Sequence, residues 1–121
     1  MIDADGIRAI MQDKKLARLG DAYVNLAYSL ALTQTHGQPY GVKVSDRTLA
    51  EAFKLAGLRA YLGTRCTRKD FANASEALLI EAYRRRLLTV EEGAQEISCG
   101  STLTEGVAGL LKLAVERLLD V

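Results

Sequence analysis

Residues 16–32 read LARLGDAYVNLAYSLAL, and the fold turns on how that stretch is read. Leu16, Leu19, Tyr23, Leu26, Ala27 and Leu30 recur at three- and four-residue steps, the spacing of an amphipathic helix. The pattern predicts a long helix over roughly Lys15 to Thr35. Gly20-Asp21 sits in its middle. A glycine inside a helix costs about 1 kcal/mol relative to alanine, and a carboxylate beside an apolar stripe needs a partner or water. Either the glycine admits a close neighbouring helix and the aspartate is solvated, or the two residues mark a site.

Working outward, Asp3 can cap a short helix over about Ala4 to Lys14, with Ile7, Ile10 and Met11 as its apolar stripe. After the long helix, HGQPYG at 36–41 is a loop carrying the only proline. Val42 to Val44 is extended and leads to Ser45, an N-cap for a helix over about Asp46 to Ala56 that Gly57 ends. Leu58 to Leu62 is a further turn. A strong helix is predicted from about Asp70 to Arg86, apolar at Phe71, Ala74, Leu78 and Tyr83. Thr89 with Glu92 and Thr102 with Glu105 have the spacing of capping boxes, opening a short helix through Ile97 and a last helix to about Leu119. The stripe of that last helix is Val107, Leu110, Leu111, Ala114 and Leu118. No segment alternates with period two between hairpin turns. The expected fold is all-α, one domain over residues 1–121, with six or seven helices and the two long ones packed centrally.

Composition narrows the function. Of 121 residues, 49% are hydrophobic, which excludes a disordered chain. The net charge of +1 removes any global electrostatic case for nucleic acid and leaves only local patches. MIDADGIRAI does not read as a signal peptide, and no apolar run is long enough to span a membrane. Cys66 and Cys99 lack metal spacing and are expected to be free thiols in a reducing cytoplasm. There is no phosphate-binding glycine loop, zinc pattern or HExxH motif. His36 is the one histidine and lies in a loop. The remaining candidates are helical carboxylates: Asp21, Glu51, Glu76 and Glu81. Acids on neighbouring helices can share a hard cation such as magnesium. The basic residues Arg65, Arg68 and Lys69, with Arg84-Arg85-Arg86 further on, are candidates for phosphate contact.

Three blocks resemble the ribonuclease III endonuclease domain, in the family's order. Leu16 to Ala22 is similar to its signature helix ERLEFLGDA. Asp46-Arg47-Thr48-Leu49-Ala50-Glu51 is similar to its N-x-x-LA-x helix. Asn73 to Leu79 with Tyr83 is similar to its AD-x-x-EALIGA-x-Y helix. The resemblance is to small archaeal members that lack the double-stranded-RNA-binding domain. It implies an all-α homodimer that cleaves double-stranded RNA, using magnesium or manganese held by acids on the first and third of these helices. Asp21 and Glu76 take the positions of two of those acids and are the implied catalytic ligands. The partner of Asp21 one turn earlier is Ala17, an earlier family glutamate falls on Lys14, and the partner of Glu76 is Asn73, which offers a neutral oxygen. Arg65, Arg68, Lys69 and Arg84 are the implied RNA contacts.

Three functions remain open at this point. The chain is a magnesium-dependent endoribonuclease with a reduced acid set. Or it is a catalytically inactive relative that binds structured RNA or an RNA-processing complex. Or it is an all-α homodimer with no RNA role, in which Asp21 makes a structural salt bridge. The first requires Asp21 and Glu76 to converge with a third oxygen donor near them.

Overall fold

A computed structural model describes residues 2–120. Among these residues the chain forms six α-helices and one 3₁₀ turn, with no strand. They are α1 (Ala4–Met11), α2 (Lys14–His36), α3 (Asp46–Leu55), a 3₁₀ turn (Arg59–Tyr61), α4 (Arg68–Arg84), α5 (Val90–Cys99) and α6 (Leu103–Asp120). The all-α expectation holds, and α2 packs on α4 more extensively than any other pair of helices touches.

Most starts are set by the residues that read as caps. Asp3 accepts from the Gly6 N–H, and Ser45 from the Thr48 N–H. Thr89 and Glu92 form a complete capping box, and Gly57 follows α3 with φ at 77°. Helix boundaries and one cap differ from the sequence reading. α1 stops at Met11 because Asp13 caps α2 by accepting from the Lys15 and Leu16 N–H groups, which moves Lys14 into α2. α4 begins at Arg68 because Thr67 and Asp70 make a capping box of their own, and it ends at Arg84. Before α6, Thr102 accepts from the Glu105 N–H, but the Glu105 carboxylate accepts from Ser101 N–H rather than closing a box.

The larger correction concerns the face of α2. Leu19 and Leu26, read as part of its apolar stripe, are 51% and 50% exposed. The buried face is Ala17, Gly20, Tyr23, Val24, Ala27 and Ala31. Small residues line the contact because α4 and α5 approach closely. A Cβ on Gly20 would be driven into the Glu76 carbonyl of α4, so only glycine fits there. Gly20 therefore carries the first alternative for its pair, a close neighbouring helix. That approach also brings Asp21 opposite the side of α4 that carries Glu76.

The core runs continuously from Ile7 through Val24, Phe53, Leu78 and Leu79 to Leu110, Leu111 and Leu118. The α6 stripe is buried as its spacing predicts. Phe53 stacks on Phe71 at 5.3 Å, joining α3 to α4. The buried Ser75 hydroxyl donates to the Phe71 and Leu49 carbonyls, fixing α3 one residue away from Glu76 on α4. Cys66 and Cys99 are free thiols. No helix among the described residues is long and apolar enough to cross a membrane.

Candidate active site

Three helices converge on an open cleft of about 510 Å³. α2 contributes Lys14, Ala17, Arg18 and Asp21, spaced as one helical face. α4 contributes Lys69, Asn73 and Glu76, and α3 contributes its first residue, Asp46. The two acids singled out in the sequence are thus brought together, with Asn73 lining the same cleft.

Glu76 is the unusual member. It is 5% exposed, one of only two polar residues buried among the described residues. The other, Ser75, spends its hydroxyl on backbone carbonyls. No N–H or cationic group donates to the Glu76 carboxylate; what faces it within hydrogen-bonding reach is the carboxylate of Asp21. Burial, then Asp21, then the charge of Asp46 push the Glu76 carboxyl up to about 8, with Lys69 opposing them weakly. Two acids facing each other in a partly dry cleft disfavour double ionisation unless a proton or a cation lies between them.

Asp21 makes no salt bridge among the described residues, so the structural-pair reading of it fails. Its partner is Asn25, whose Nδ2 donates to Asp21 Oδ1 at 3.1 Å. Asn25 belongs to a polar ladder at four-residue steps along α2: Asp21, Asn25, Ser29 and Thr33. The returning segment 38–45 is pinned to that ladder. The Tyr40 N–H donates to Thr33 Oγ1, the Val42 N–H to Ser29 Oγ, and the Val44 N–H to Asn25 Oδ1 at 2.8 Å. One side chain, Asn25, therefore holds Asp21 and also seats the segment that delivers Asp46. Sequence reasoning missed Asn25; its four-residue offset from Asp21 was the available signal.

Asp46 was also missed as a site residue. Glu51 and Glu81, the acids considered for recruitment, stand elsewhere: Glu51 pairs with Arg47, and Glu81 with Arg84 and Arg85. Asp46 enters the cleft from α3 and is paired with Lys69 at 3.0 Å. That pair holds the Lys69 ammonium above its ordinary range, chiefly through the hydrogen bond to Asp46. Of the residues named for RNA contact, only Lys69 lines the cleft. Arg84 lies towards the far end of α4 against Glu81, and Arg65 and Arg68 are exposed near the start of α4.

The donor set suits one hard cation better than two. Asp21 and Glu76 offer carboxylate oxygens and Asn73 an amide oxygen, a ligand type that magnesium and manganese accept. Ala17 offers nothing where a second acid would stand on α2. Among the described residues no three acidic, histidine or cysteine side chains already stand together as a metal cage.

An all-α chain whose α2 and α4 each turn an acid into a shared cleft, across a glycine-only contact, has the architecture of a ribonuclease III endonuclease domain. The family model for Ribonuclease III matches residues 14–115. That range begins at the first residue of α2 and includes both acid-bearing helices. The chain belongs to the ribonuclease III family. A comparison with curated proteins gives no match.

Proposed function

We propose that this cleft hydrolyses phosphodiester bonds in double-stranded RNA with the help of one divalent cation. The observation that carries the reading is Glu76: a largely buried carboxylate lining the cleft, left without a donor from the protein, and faced by a second carboxylate. Such an arrangement is costly in an empty fold, and a bound cation offsets the cost. Asp21 and Glu76 are the residues to hold it, with Asn73 completing the set through a neutral oxygen. When bound, magnesium or manganese lowers the pKa of a coordinated water and neutralises charge on the phosphoryl group. Asn25 holds the Asp21 carboxylate beside Glu76, and the burial of Glu76 strengthens the electrostatic contact between the two acids and a cation.

The protein acts as a homodimer in this reading. Leu19, Leu26 and Tyr83 are 51%, 50% and 46% exposed. Large apolar side chains left in water on the helices that form the site are the natural material of an interface.

A second reading is favoured by Ala17 and Asn73, which leave one acid per helix. In it the domain binds structured RNA without cutting it. Incubation with long duplex RNA and magnesium or manganese separates the two. Cleavage by the parent protein, reduced by Asp21→Asn more than about 100-fold, is the expected result, since even second-shell changes at metal sites cost 10–100-fold. Salt-sensitive binding of duplex without cleavage transfers the conclusion to the second reading. Absence of both at low salt removes RNA from the account.

A further inference from the structure

The cleft carries as many cations as acids. Asp21, Asp46 and Glu76 face Lys14, Arg18 and Lys69. Lys69 is occupied by Asp46. Lys14 and Arg18 have no ion-pair or hydrogen-bonding partner among the described residues. Both are exposed, and both stand on the face of α2 that ends in Asp21. Positive charge there is locally unfavourable. Cations at a helix N-terminus oppose the helix dipole, and each of the other five α-helices places an acid in its first turn, whereas α2 places none. The Asp13 cap already takes the Lys15 and Leu16 N–H groups, so the two unpartnered side chains themselves, rather than the helix start, are what an anion in the cleft would meet.

We propose that Lys14 and Arg18 form the phosphate-binding wall of the cleft, holding the nucleic-acid backbone beside Asp21 and Glu76 where the side chain of Ala17 leaves room. The inference rests on the reading of the cleft as a phosphodiester site and adds the residues that hold the anion. Two acids with one divalent cation are electrically neutral, so they give no net attraction for a phosphodiester. Lys14 and Arg18 supply that attraction from the protein itself, in the role a second cation would otherwise have. Lys14, one turn before Ala17, and Arg18, beside it, lie on either side of the gap. Binding of this kind follows the backbone and carries no sequence preference.

The test is duplex RNA binding in EDTA, titrated against salt, which separates anion capture from metal and from turnover. Lys14→Ala with Arg18→Ala is compared with Lys15→Ala with Lys112→Ala, which removes the same charge outside the cleft. The cleft variant is expected to lose at least about tenfold in affinity and about two units of salt slope, one per phosphate contact. The control is expected to stay within about twofold of the parent. Lys14→Arg with Arg18→Lys, keeping both charges, is expected to bind like the parent. Equal losses in the two double alanine variants, or no loss in the cleft variant, overturn the inference while leaving the RNA reading intact. A parent that binds no duplex at low salt overturns both.

Discussion

Glu76 and Glu92 are both glutamates on helices that pack against α2, and the fold treats them in opposite ways. Glu92 opens α5. It accepts from the Thr89 N–H and hydroxyl and from Arg117 of α6 at 2.7 Å. The bond from Arg117, then the Thr89 N–H, hold its carboxyl below the ordinary range. Glu76 has neither cap nor cation, and its carboxyl is pushed up to about 8. One acid closes a joint between helices. The other is largely buried at the cleft and receives no donor from the protein. The difference teaches where to look for chemistry in a chain with a single histidine: a buried acid that the structure could have neutralised and has not.

Gly20 is the residue whose loss breaks the comparison most severely, because it lets α4 lie close enough to place Glu76 against Asp21. Gly20→Ala drives a Cβ into the Glu76 carbonyl, on rigid backbone with no side chain to move aside. A destabilisation above about 3 kcal/mol is expected, beyond the usual range for overpacking, since two helices must separate. Urea unfolding measures it. A variant within about 1 kcal/mol of the parent would mean that α2 and α4 are not in this register.

Glu76→Gln comes next and acts in the other direction. In metal-free protein the Glu76 carboxyl holds its proton up to about 8, whereas in the unfolded chain it releases it near 4.5. The folded state then binds more protons over that interval, so stability falls as pH rises from about 4.5 to about 8. The glutamine variant lacks that slope and is expected to be more stable than the parent at pH 8 in EDTA, by on the order of 3 kcal/mol. Unfolding midpoints at pH 5 and pH 8 check it. The gain should shrink to below about 1 kcal/mol at pH 5. Equal stability at both pH values would show that Glu76 is satisfied after all. The same substitution should abolish stabilisation by manganese, because gain of metal-free stability and loss of metal binding share one cause.

How far the sequence alone reveals these features depends on whether the physics is local. Caps at Asp3, Ser45 and Thr89 were legible because a side chain and its N–H groups lie within one turn. So were the α6 stripe and the positions of Asp21 and Glu76 within their motifs. The buried face of α2 was legible only in part: Tyr23 and Ala27 of the expected stripe are buried, but Ala17, Gly20, Val24 and Ala31 were not in it. Hydrophobic patterning weights large side chains, but helices that nearly touch bury small ones, so Ala17, Gly20 and Ala31 go inward while Leu19 and Leu26 stand outside. Asp46 was illegible as a site residue because its place depends on segment 38–45 folding back along α2, a path set by hydrogen bonds that its N–H groups donate to Thr33, Ser29 and Asn25. Lys14 was legible as a departure from the family pattern. Its lining of the cleft depended on a one-residue change in where α2 begins, which Asp13 decides.

The smallest effect belongs to the other half of the comparison. Arg117 Nη1 donates both to Glu92 and to the Leu87 carbonyl at 2.8 Å, tying α6 to the turn between α4 and α5. The pair is partly open to water, with side chains 35% and 40% exposed, so screening discounts it. Arg117→Met keeps the aliphatic stem and removes the guanidinium, and it is expected to cost about 1 kcal/mol at pH 7. Glu92 retains its Thr89 bonds, which limits the loss. The sign with pH is opposite to that of Glu76. A lowered carboxyl contributes stability that is present above its unfolded value and lost as pH falls through its folded one. The gap between parent and Arg117→Met should therefore narrow in acid, where Glu92 is protonated in both, and widen to its full size at neutral pH. A gap that is constant with pH would assign the whole effect to the Leu87 carbonyl. Glu92 would then be held by its capping box alone, and the contrast with Glu76 would reduce to the presence or absence of Thr89.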